Sequence, residues 1–307
     1  MLCMCVLGAL GAATPIMAGA TSAPARALRG SSAHAAHARP HAHATSRPAH
    51  RRGGARSASA SGNLIWADEF NGPAGAAPDP TKWSVQTGGG GWGNNELEYY
   101  TSRSSNVALD GHGHLAITAR RESYTGGSGL TREYTSARLQ TKGLFATEYG
   151  RIEARIKLPA GPGLWPAFWA LGGDIESVGW PNSGEIDVME SLGSDPFTFY
   201  GSVHGPEPGA LKGYHLTAAE HSAGSLASRF HVFGVEWTPS AITFTFDGVP
   251  YSTRTPASLS AGQQWVFNKP YFLLLNLAVG GNWPGAPQAS TPFPATMLVD
   301  WVRVYSQ

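Results

Sequence analysis

The sequence predicts an all-β domain built as a sandwich of two antiparallel sheets. Short β-rich segments recur from residue 63 onward, they are separated by many of the 39 Gly and 22 Pro residues, and long helical runs of Ala, Glu, Lys and Leu are missing. Sandwiches of this kind commonly form one domain of about 200–250 residues. We therefore assign residues 63–307 to one domain, whose antiparallel sheets can curve to make a groove.

Individual strands follow from the pattern of apolar residues. Alternation of apolar and polar residues predicts strands with one buried face at 115–123, 134–141, 149–158 and 241–254. A more continuous apolar character predicts strands covered on both sides at 230–238, 271–280 and 297–305. A short helix is expected at 257–265.

The first 62 residues differ from the rest in composition. Residues 1–23 are apolar, rich in small residues and similar to a secretion signal, and residues 24–62 form an Ala/His/Arg-rich linker that we expect to be disordered. Both cysteines, Cys3 and Cys5, lie in this signal, so the mature chain has no disulfide and no cysteine chemistry. We predict a secreted, extracellular protein that is free of the membrane after cleavage.

The net charge of +1 conceals an acidic domain. Residues 21–62 contain seven Arg and no acidic residue, and removing these seven from the 22 basic residues leaves 15 against 21 acidic ones, or −6. A domain with this balance lacks the basic surface that binds nucleic acid, so nucleic acid is excluded as a partner. Nothing in the sequence requires an oligomer, and we expect a monomer.

Three carboxylates lie close together in the segment PNSGEIDVMES, residues 181–191. Side chains alternate between the faces of a regular strand, so Glu185 and Asp187 share one face while Glu190 falls on the apolar face. A buried, unpaired carboxylate is costly. We therefore predict a β-bulge at 188–189, which returns Glu190 to the face of the other two acids.

This arrangement has a chemical use. Two Glu side chains that lean together across the bulge can bring their carboxyl groups to about 5–5.5 Å, the separation found in retaining glycosidases. Glu185 would then attack the sugar, Glu190 would act as acid and base, and Asp187 would orient Glu185 and raise or lower its pKa. Metal binding by the same acids is the alternative at this point.

Seven aromatic residues lie near the ends of predicted strands: Trp92, Tyr99, Tyr100, Trp165, Trp169, Trp180 and Trp283. Aromatic side chains dominate protein cores, and we expect about half of these seven to pack there. The others are expected to line a groove, where a flat aromatic face can stack against a sugar ring.

The motif WPNSGEIDVME, residues 180–190, resembles the signature of glycoside hydrolase family 16 in the form that marks its bulged, laminarinase-like branch. The resemblance covers nearly all of residues 64–306 through the ordered segments IWADEFNG, WGNNELEYYT, YTSARLQTKGLFATEYGRIEARIKLP, GLWPAFWALG, FHVFGVEWTPSAITFTFDG, LLLNLAVGGNWPG and VDWVRVY. It implies a concanavalin-like β-jelly roll that binds β-glucan across a concave sheet. It also implies endo-acting, retaining hydrolysis of internal β-1,3-glucosidic bonds, with no cofactor for catalysis.

The resemblance extends to substrate-binding residues near the cleavage point. It implies that Trp165, Trp169 and Trp180 form the groove wall. It implies that Arg138 hydrogen-bonds sugar hydroxyl groups, although a surface Arg on an alternating strand is the alternative.

The resemblance also places contacts towards the two ends of the substrate. Asn94 is similar to a contact at a donor subsite, and Trp283 is expected to close the same end. His204 falls on the next strand and is expected to face the acid/base side, although a purely structural His is an equal alternative.

Members of the family often carry a structural calcium ion away from the catalytic groove. Asp300 matches its carboxylate ligand, with backbone carbonyl groups near Glu69 and Gly111. Calcium binds at least about six oxygens, so other carbonyl groups and waters would complete the site. The alternative is that Asp300 caps a turn or pairs with Arg303.

Other functions are compatible with the same residues. These are hydrolysis of mixed β-1,3-1,4-glucan or of another polysaccharide such as agarose or galactan, transglycosylation, and non-catalytic binding of β-glucan. The presence of all three acids disfavours the binding protein, and the acidic domain disfavours sulfated substrates.

Overall fold

The computed structural model describes residues 62–307, so the predicted signal and nearly all of the predicted linker lie outside the described residues. Seventeen strands are present in this range: β1 (Leu64–Asp68), β2 (Ser84–Gln86), β3 (Glu98–Tyr100), β4 (Val107–Leu109), β5 (Leu115–Thr125), β6 (Thr131–Ser136), β7 (Arg138–Gln140), β8 (Gly150–Lys157), β9 (Leu164–Gly172), β10 (Glu185–Ser191), β11 (Thr198–Glu207), β12 (Ala210–His221), β13 (His231–Thr238), β14 (Ala241–Phe246), β15 (Val249–Arg254), β16 (Tyr271–Val279) and β17 (Ala295–Tyr305). A short helix, α1, spans Ile175–Val178, and a 3₁₀ turn spans Pro256–Ser258. Among the described residues, no helix has the length and apolar character needed to cross a membrane.

Two sheets form the sandwich, and the predicted fold class is confirmed. The larger sheet has ten strands in the order β15-β14-β13-β8-β17-β5-β6-β3, with β1 paired to β17 and β4 to β5. The smaller sheet has seven strands in the order β12-β11-β10-β9-β16-β7-β2. The pairs are antiparallel, except that β3 runs parallel to β6.

The hydrophobic core fills the space between the two sheets. Phe168 and Phe199 come from the seven-stranded sheet, Phe233 and Phe244 come from the ten-stranded sheet, and all four are fully buried. The rings of Phe199 and Phe233 meet edge to face with their centroids 5.1 Å apart. Because both β9 and β11 are anchored in this core, their outward side chains have fixed positions on the opposite face.

Three strands were predicted to be buried on both faces, and the structure confirms this for β16. All nine residues of β16 are buried, because it lies inside the seven-stranded sheet and its outward Phe272 and Leu274 pack with Leu171. Burial alternates along most of β13 and most of β17, so the prediction was wrong for these two strands. Both lie in the ten-stranded sheet, where outward residues such as Arg303 are partly exposed.

Three further expectations differ from the structure. The segment 241–254 forms two antiparallel strands, β14 and β15, and not one strand. The segment 134–141 is divided at the buried Ala137, so that β6 joins the ten-stranded sheet and β7 the seven-stranded sheet. This crossing brings Arg138 to the smaller sheet. The helix expected at 257–265 is reduced to the 3₁₀ turn, and Gly262 has φ of 90°, which an α-helix excludes.

The complete burial of β16 predicts a strong dependence of stability on its side chains. Leu275→Ala should lower the free energy of unfolding by about 2–5 kcal/mol, because a fully buried Leu loses contacts and leaves a cavity. Leu211→Ala is the control, since Leu211 is 97% exposed and its loss should change stability by less than about 0.5 kcal/mol. Urea unfolding measures both, and similar effects at the two positions would contradict the assigned burial.

Candidate active site

Strand β10 contains the predicted bulge. Its register with β11 shifts between Asp187 and Glu190, and its register with β9 shifts between Asp187 and Met189. The three apolar residues of the motif are at most 1% exposed and belong to the core, whereas the three acids line a groove. The extra residue therefore resets the alternation, and Glu190 shares the groove face with Glu185.

The groove has a volume of about 820 Å³ and crosses the seven-stranded sheet from β12 to β7. Side chains from successive strands form its floor, and neighbouring strands are about 4.8 Å apart. The groove brings together the three acids and all seven residues expected to bind substrate: Asn94, Arg138, Trp165, Trp169, Trp180, His204 and Trp283. Their assigned roles stay predictions.

Indole groups hold the carboxylates on the groove floor. Trp180 Nε1 donates a hydrogen bond to Glu185 Oε2 at 3.0 Å, and Trp165 Nε1 donates to Glu190 Oε1 at 3.0 Å. Trp169 Nε1 donates instead to Asn276 Oδ1, at 2.7 Å. Two of the three wall residues therefore orient the carboxyl groups directly.

His204 is the cationic partner of the acids. It lies opposite Glu185 in the register of β10 and β11. Its Nε2 atom is 2.9 Å from Asp187 Oδ2 and 3.9 Å from Glu185 Oε1. Since Asp187 is only 2% exposed, the imidazolium replaces the solvation that this carboxylate loses on burial. His204 is therefore part of the acidic cluster, beyond a role in packing.

Burial and mutual repulsion shift the pKa values of the cluster. Burial, followed by the charge of Asp187, raises the pKa of Glu185 to about 8, and His204 partly opposes this shift. Burial and the same charge raise the pKa of Glu190 well above its usual range. Burial lowers the pKa of His204, but the three carboxylates outweigh it and raise this pKa to about 9. Burial and repulsion therefore favour the protonated form of Glu190.

The metal alternative can be judged from these protonation states. Glu185, Asp187 and His204 each offer a ligand atom, and these atoms lie within 4.8 Å of one another. A protonated imidazole has no lone pair to offer a metal, and a pKa of about 9 keeps His204 protonated at neutral pH. A metal ion at this cluster would therefore have to displace that proton.

Arg138 lies in the groove and is not the surface residue of the alternative interpretation. Its guanidinium group is held between the rings of Trp92 and Trp169, at 4.8 and 4.6 Å from their centroids. Its Nε donates a hydrogen bond to Gln86 Oε1 at 2.6 Å. The remaining N–H groups of this stacked cation are placed to meet hydroxyl groups of a ligand.

The groove wall near Glu190 is aromatic. Trp283 is 41% exposed, and its ring packs edge-on against Trp165 and Tyr200 with centroid distances of 5.6 and 4.9 Å. Of the seven aromatic residues, Tyr99 and Tyr100 are buried while the five Trp line the groove.

Asn94 lies at the end of the groove near Arg138. Its side chain donates a hydrogen bond to Glu96 Oε1 at 3.4 Å, and its carbonyl oxygen accepts one from the backbone N–H of Asn282 at 2.8 Å. These bonds connect two loops that flank this end.

The residues expected to bind calcium have protein partners. The Asp300 carboxylate pairs with Arg155, and its other oxygen is 3.9 Å from His114 Nε2. The alternative pairing with Arg303 was wrong, because Arg303 forms two hydrogen bonds of 2.8 Å with the Glu69 carboxylate. An ion at Asp300 would have to compete with the Arg155 cation for the carboxylate.

Gly111 lies in a turn on the same side of the molecule. His114 Nδ1 is 2.7 Å from the carboxylate of Asp110, the neighbour of Gly111, while its other nitrogen faces Asp300. The turn and Asp300 therefore share one neighbour. The calcium site stays a prediction.

Several groove residues were missed from the sequence, among them Tyr200, Ser202 and Asn276. Tyr200 and Ser202 alternate with His204 on β11, so strand periodicity could have identified them. Asn276 is a polar residue inside the apolar run of β16, and a buried polar group in such a run needs a partner.

The pairing of His204 predicts a pH-dependent contribution to stability. Its pKa rises from 6.5 to about 9 on folding, so its contribution is fully present below pH 6.5 and lost as the pH rises through 9. A shift of this size corresponds to on the order of 3 kcal/mol. His204→Gln should therefore lower the melting temperature strongly at pH 6 and much less above pH 9.

His215→Gln is the control for this measurement, since His215 is the register partner of His204 on β12 and its ring lies 5.9 Å away. It should show little of the pH dependence. A destabilisation by His204→Gln that is equal at all pH values would contradict the ion pair.

Comparison with known proteins agrees with this geometry. The profile of "Glycosyl hydrolases family 16" matches residues 94–303. The chain is 42% identical over 256 residues to the beta-glucanase of Rhodothermus marinus, which covers 79% of this chain and 84% of that protein. Among solved structures, the endo-beta-1,3-glucanase from Pyrococcus furiosus is 48% identical with a TM-score of 0.73, covering 79% of this chain and 94% of that one. The laminarinase catalytic domain from Thermotoga maritima is 42% identical with a TM-score of 0.74, covering 80% and 98%. The chain belongs to glycosyl hydrolases family 16.

Proposed function

We propose that the protein is an endo-acting, retaining β-1,3-glucanase that hydrolyses internal bonds of laminarin-type glucans. The observation that carries this proposal is the bulge of β10, which brings Glu185 and Glu190 to one groove face. The groove crosses the sheet from β12 to β7, a course suited to the interior of a polymer. The activities named for the similar proteins support the choice of β-1,3-glucan.

The reaction proceeds in two steps. Ionised Glu185 attacks the anomeric carbon and forms a glycosyl ester, while the bond to the leaving oxygen breaks and that oxygen takes the proton of Glu190. Glu190, now ionised, removes a proton from water, which attacks the same carbon and releases Glu185. Two inversions give net retention at the anomeric carbon.

The neighbouring groups suit the two acids to these roles. Glu190 keeps its proton because its pKa is raised well above the usual range by burial and by Asp187. Trp180 and the positive charge of His204 stabilise the ionised form of Glu185. Asp187 holds His204 beside Glu185 and so acts as a positioning residue.

Substitution of the two acids tests the assignment on laminarin. Glu190→Gln should lower kcat by about 10²–10⁴-fold, because the leaving oxygen loses its proton donor. It should keep more activity on an aryl glycoside whose leaving group needs no proton. Glu185→Gln should lose activity on both substrates. Release of reducing ends from laminarin and of the aryl group measures these effects.

Azide separates the two roles further. With Glu185→Ala, azide should take the nucleophile's place and give an α-glycosyl azide, whereas with Glu190→Ala it should attack the glycosyl enzyme and give the β-anomer. A β-glycosyl azide from Glu185→Ala and an α-glycosyl azide from Glu190→Ala would mean that Glu190 is the nucleophile and Glu185 the acid/base. Binding of laminarin without any release of ends by the parent would instead indicate a glucan-binding protein.

The choice of substrate is tested by a panel of polymers. Barley β-glucan, agarose and galactan are compared with laminarin under the same conditions. Activity on barley β-glucan alone would keep the chemistry and replace the substrate by mixed-linkage glucan, and transfer products at high laminarin concentration would reveal transglycosylation.

The two indole donors predict upward shifts of different limbs of the pH profile. Activity should rise with pH towards about 8, as Glu185 ionises, and fall when Glu190 loses its proton. Trp180→Phe removes a hydrogen bond that lowers the pKa of Glu185, so the acidic limb should move up by about one pH unit.

Trp165→Phe is the matched variant, because it removes the corresponding bond to Glu190. It should move the alkaline limb up and leave the acidic limb in place. Profiles of kcat/KM measure both limbs, and a shift of the same limb in both variants would refute the separate roles.

Export and a monomeric state belong to the same proposal. Laminarin-type glucans are polymers too large to enter a cell, so their hydrolysis is expected outside it. The apolar, small-residue character of residues 1–23 supports export, and the protein is expected to act alone on the polymer.

A structural calcium ion at Asp300 would stabilise the fold and leave the chemistry unchanged. We expect calcium chloride to raise the melting temperature, EDTA to reverse the rise, and kcat on laminarin to stay the same, since bound ligand stabilises the folded state. Asp300→Asn should abolish the response. A melting temperature that changes with neither calcium nor EDTA would contradict a calcium site at Asp300.

A further inference from the structure

A second pair of buried acids, Glu96 and Glu98, lies beside the Asn94 end of the groove and takes no part in the proposed chemistry. Glu98 is fully buried and Glu96 is 4% exposed. Glu98 begins strand β3, whereas Glu96 precedes that strand and lines the groove. Two acids buried side by side need an explanation, since a buried charge without compensation is strongly unfavourable.

Glu96 is surrounded by hydrogen-bond donors. Its Oε2 atom accepts a bond of 2.9 Å from the hydroxyl group of Tyr100, and its Oε1 atom accepts one of 3.4 Å from Asn94. Arg138 is a cation whose charge acts on both acids. Both carboxylate oxygens of Glu96 therefore already accept hydrogen bonds.

Glu98 is different in its hydrogen bonding. Its Oε2 atom accepts a bond of 2.7 Å from the backbone N–H of Val279. Its Oε1 atom is buried and has no donor among the described residues, although the side chain lies within hydrogen-bonding reach of Glu96. Two ionised carboxylates only accept hydrogen bonds, so Oε1 can meet Glu96 favourably only if one of the two acids carries a proton. Both oxygens of Glu96 already accept bonds from Tyr100 and Asn94, which leaves the proton to Glu98.

The charges around the pair agree with one proton. The titratable groups that face Glu98 are Glu96, Tyr100 and Arg138, and they supply one positive charge against two acids. Burial, followed by the charge of Glu96, raises the pKa of Glu98 well above its usual range. With a single negative charge on the pair, Arg138 balances it.

We propose that Glu98 is permanently protonated and donates a hydrogen bond from Oε1 to the carboxylate of Glu96, so that it positions Glu96 at the groove. This assignment makes Glu98 a positioning residue, because it acts on the groove only through Glu96.

The hydrogen bonds around Glu98 show which loop it holds in place. The backbone N–H of Leu97 donates to the carbonyl oxygen of Val279 at 2.8 Å, next to the bond between Val279 and Glu98. Glu98 therefore joins the loop of Asn94 and Glu96 to the end of β16. The protonation is independent of the substrate, whereas its effect on glucan binding rests on the proposed function.

Glu98→Gln tests the proposal, because Gln is neutral, has the same shape and keeps both a donor for Glu96 and an acceptor for Val279. It should keep the KM for laminarin within about twofold. Glu98→Leu is the contrasting variant, and loss of the donor to Glu96 should raise KM by about fivefold, the effect of one hydrogen bond. kcat should change less than KM, since the three catalytic acids are untouched.

Stability against pH provides a readout that does not need activity. Glu98 stays protonated in the folded chain and ionises in the unfolded chain above its usual pKa of 4.5, so unfolding releases a proton and parent stability falls as pH rises. Glu98→Gln lacks this loss. Relative to the parent, its unfolding equilibrium constant should therefore decrease by about tenfold per pH unit between pH 5 and the raised pKa of Glu98.

Glu153→Gln is the matched control, because Glu153 is also buried but its carboxylate pairs with Arg151 at 2.7 Å. It should lose stability and gain no advantage at higher pH. The infrared difference between parent and Glu98→Gln at pH 7 should contain a protonated-carboxyl band.

Three results would overturn the proposal: a Glu98→Gln protein that does not fold, one whose stability follows the pH slope of the parent, or a difference spectrum without the carboxyl band. The first would mean that a neutral side chain of the same shape cannot replace Glu98, and either of the other two would mean that Glu98 is ionised. If the parent proves inactive on laminarin, the proposed function fails while the stability and infrared measurements still decide the protonation of Glu98.

Discussion

The extra residue in β10 is the constraint on which the groove depends. It brings a third carboxylate to a surface that already holds two, and it does so while Val188 and Met189 stay in the core. The cost is electrostatic, because each added carboxylate is poorly solvated and repels the others. The side chains around the groove can largely be understood as compensation for that cost.

Compensation comes from neutral donors as much as from cations. Indole N–H groups hold Glu185 and Glu190, and His204 supplies the one positive charge in contact with Asp187 among the described residues. At the Asn94 end of the groove, the charge of Arg138 acts on the pair of Glu96 and Glu98. Each cluster of acids thus has fewer cations than carboxyl groups. Protons bound to some of these carboxyl groups reduce the remaining negative charge.

The sequence was sufficient to predict features with a local cause. The bulge followed from the spacing of acidic and apolar residues in one strand. For the seven aromatic residues, the expectation that about half would lie in the core was too high, since only Tyr99 and Tyr100 are buried. Features that depend on the order of strands in a sheet could not be predicted from the sequence. Asn276 on β16 accepts a hydrogen bond from Trp169 on the neighbouring strand β9. The one-sided burial of β13 reflects its place in the ten-stranded sheet. Such neighbours are distant in the chain, so no local pattern reports them.

The indole rings that donate hydrogen bonds to Glu185 and Glu190 also line the groove. Trp165 and Trp180 therefore serve two purposes with one rigid side chain, and a sugar that displaces either ring displaces a carboxylate with it. A substitution that changes how a wall ring binds sugar therefore also changes the orientation of a carboxyl group, so affinity and turnover change together. During evolution, a change of wall shape that admits a new polymer must preserve the indole, which leaves the loops between strands as the freer route to new specificity.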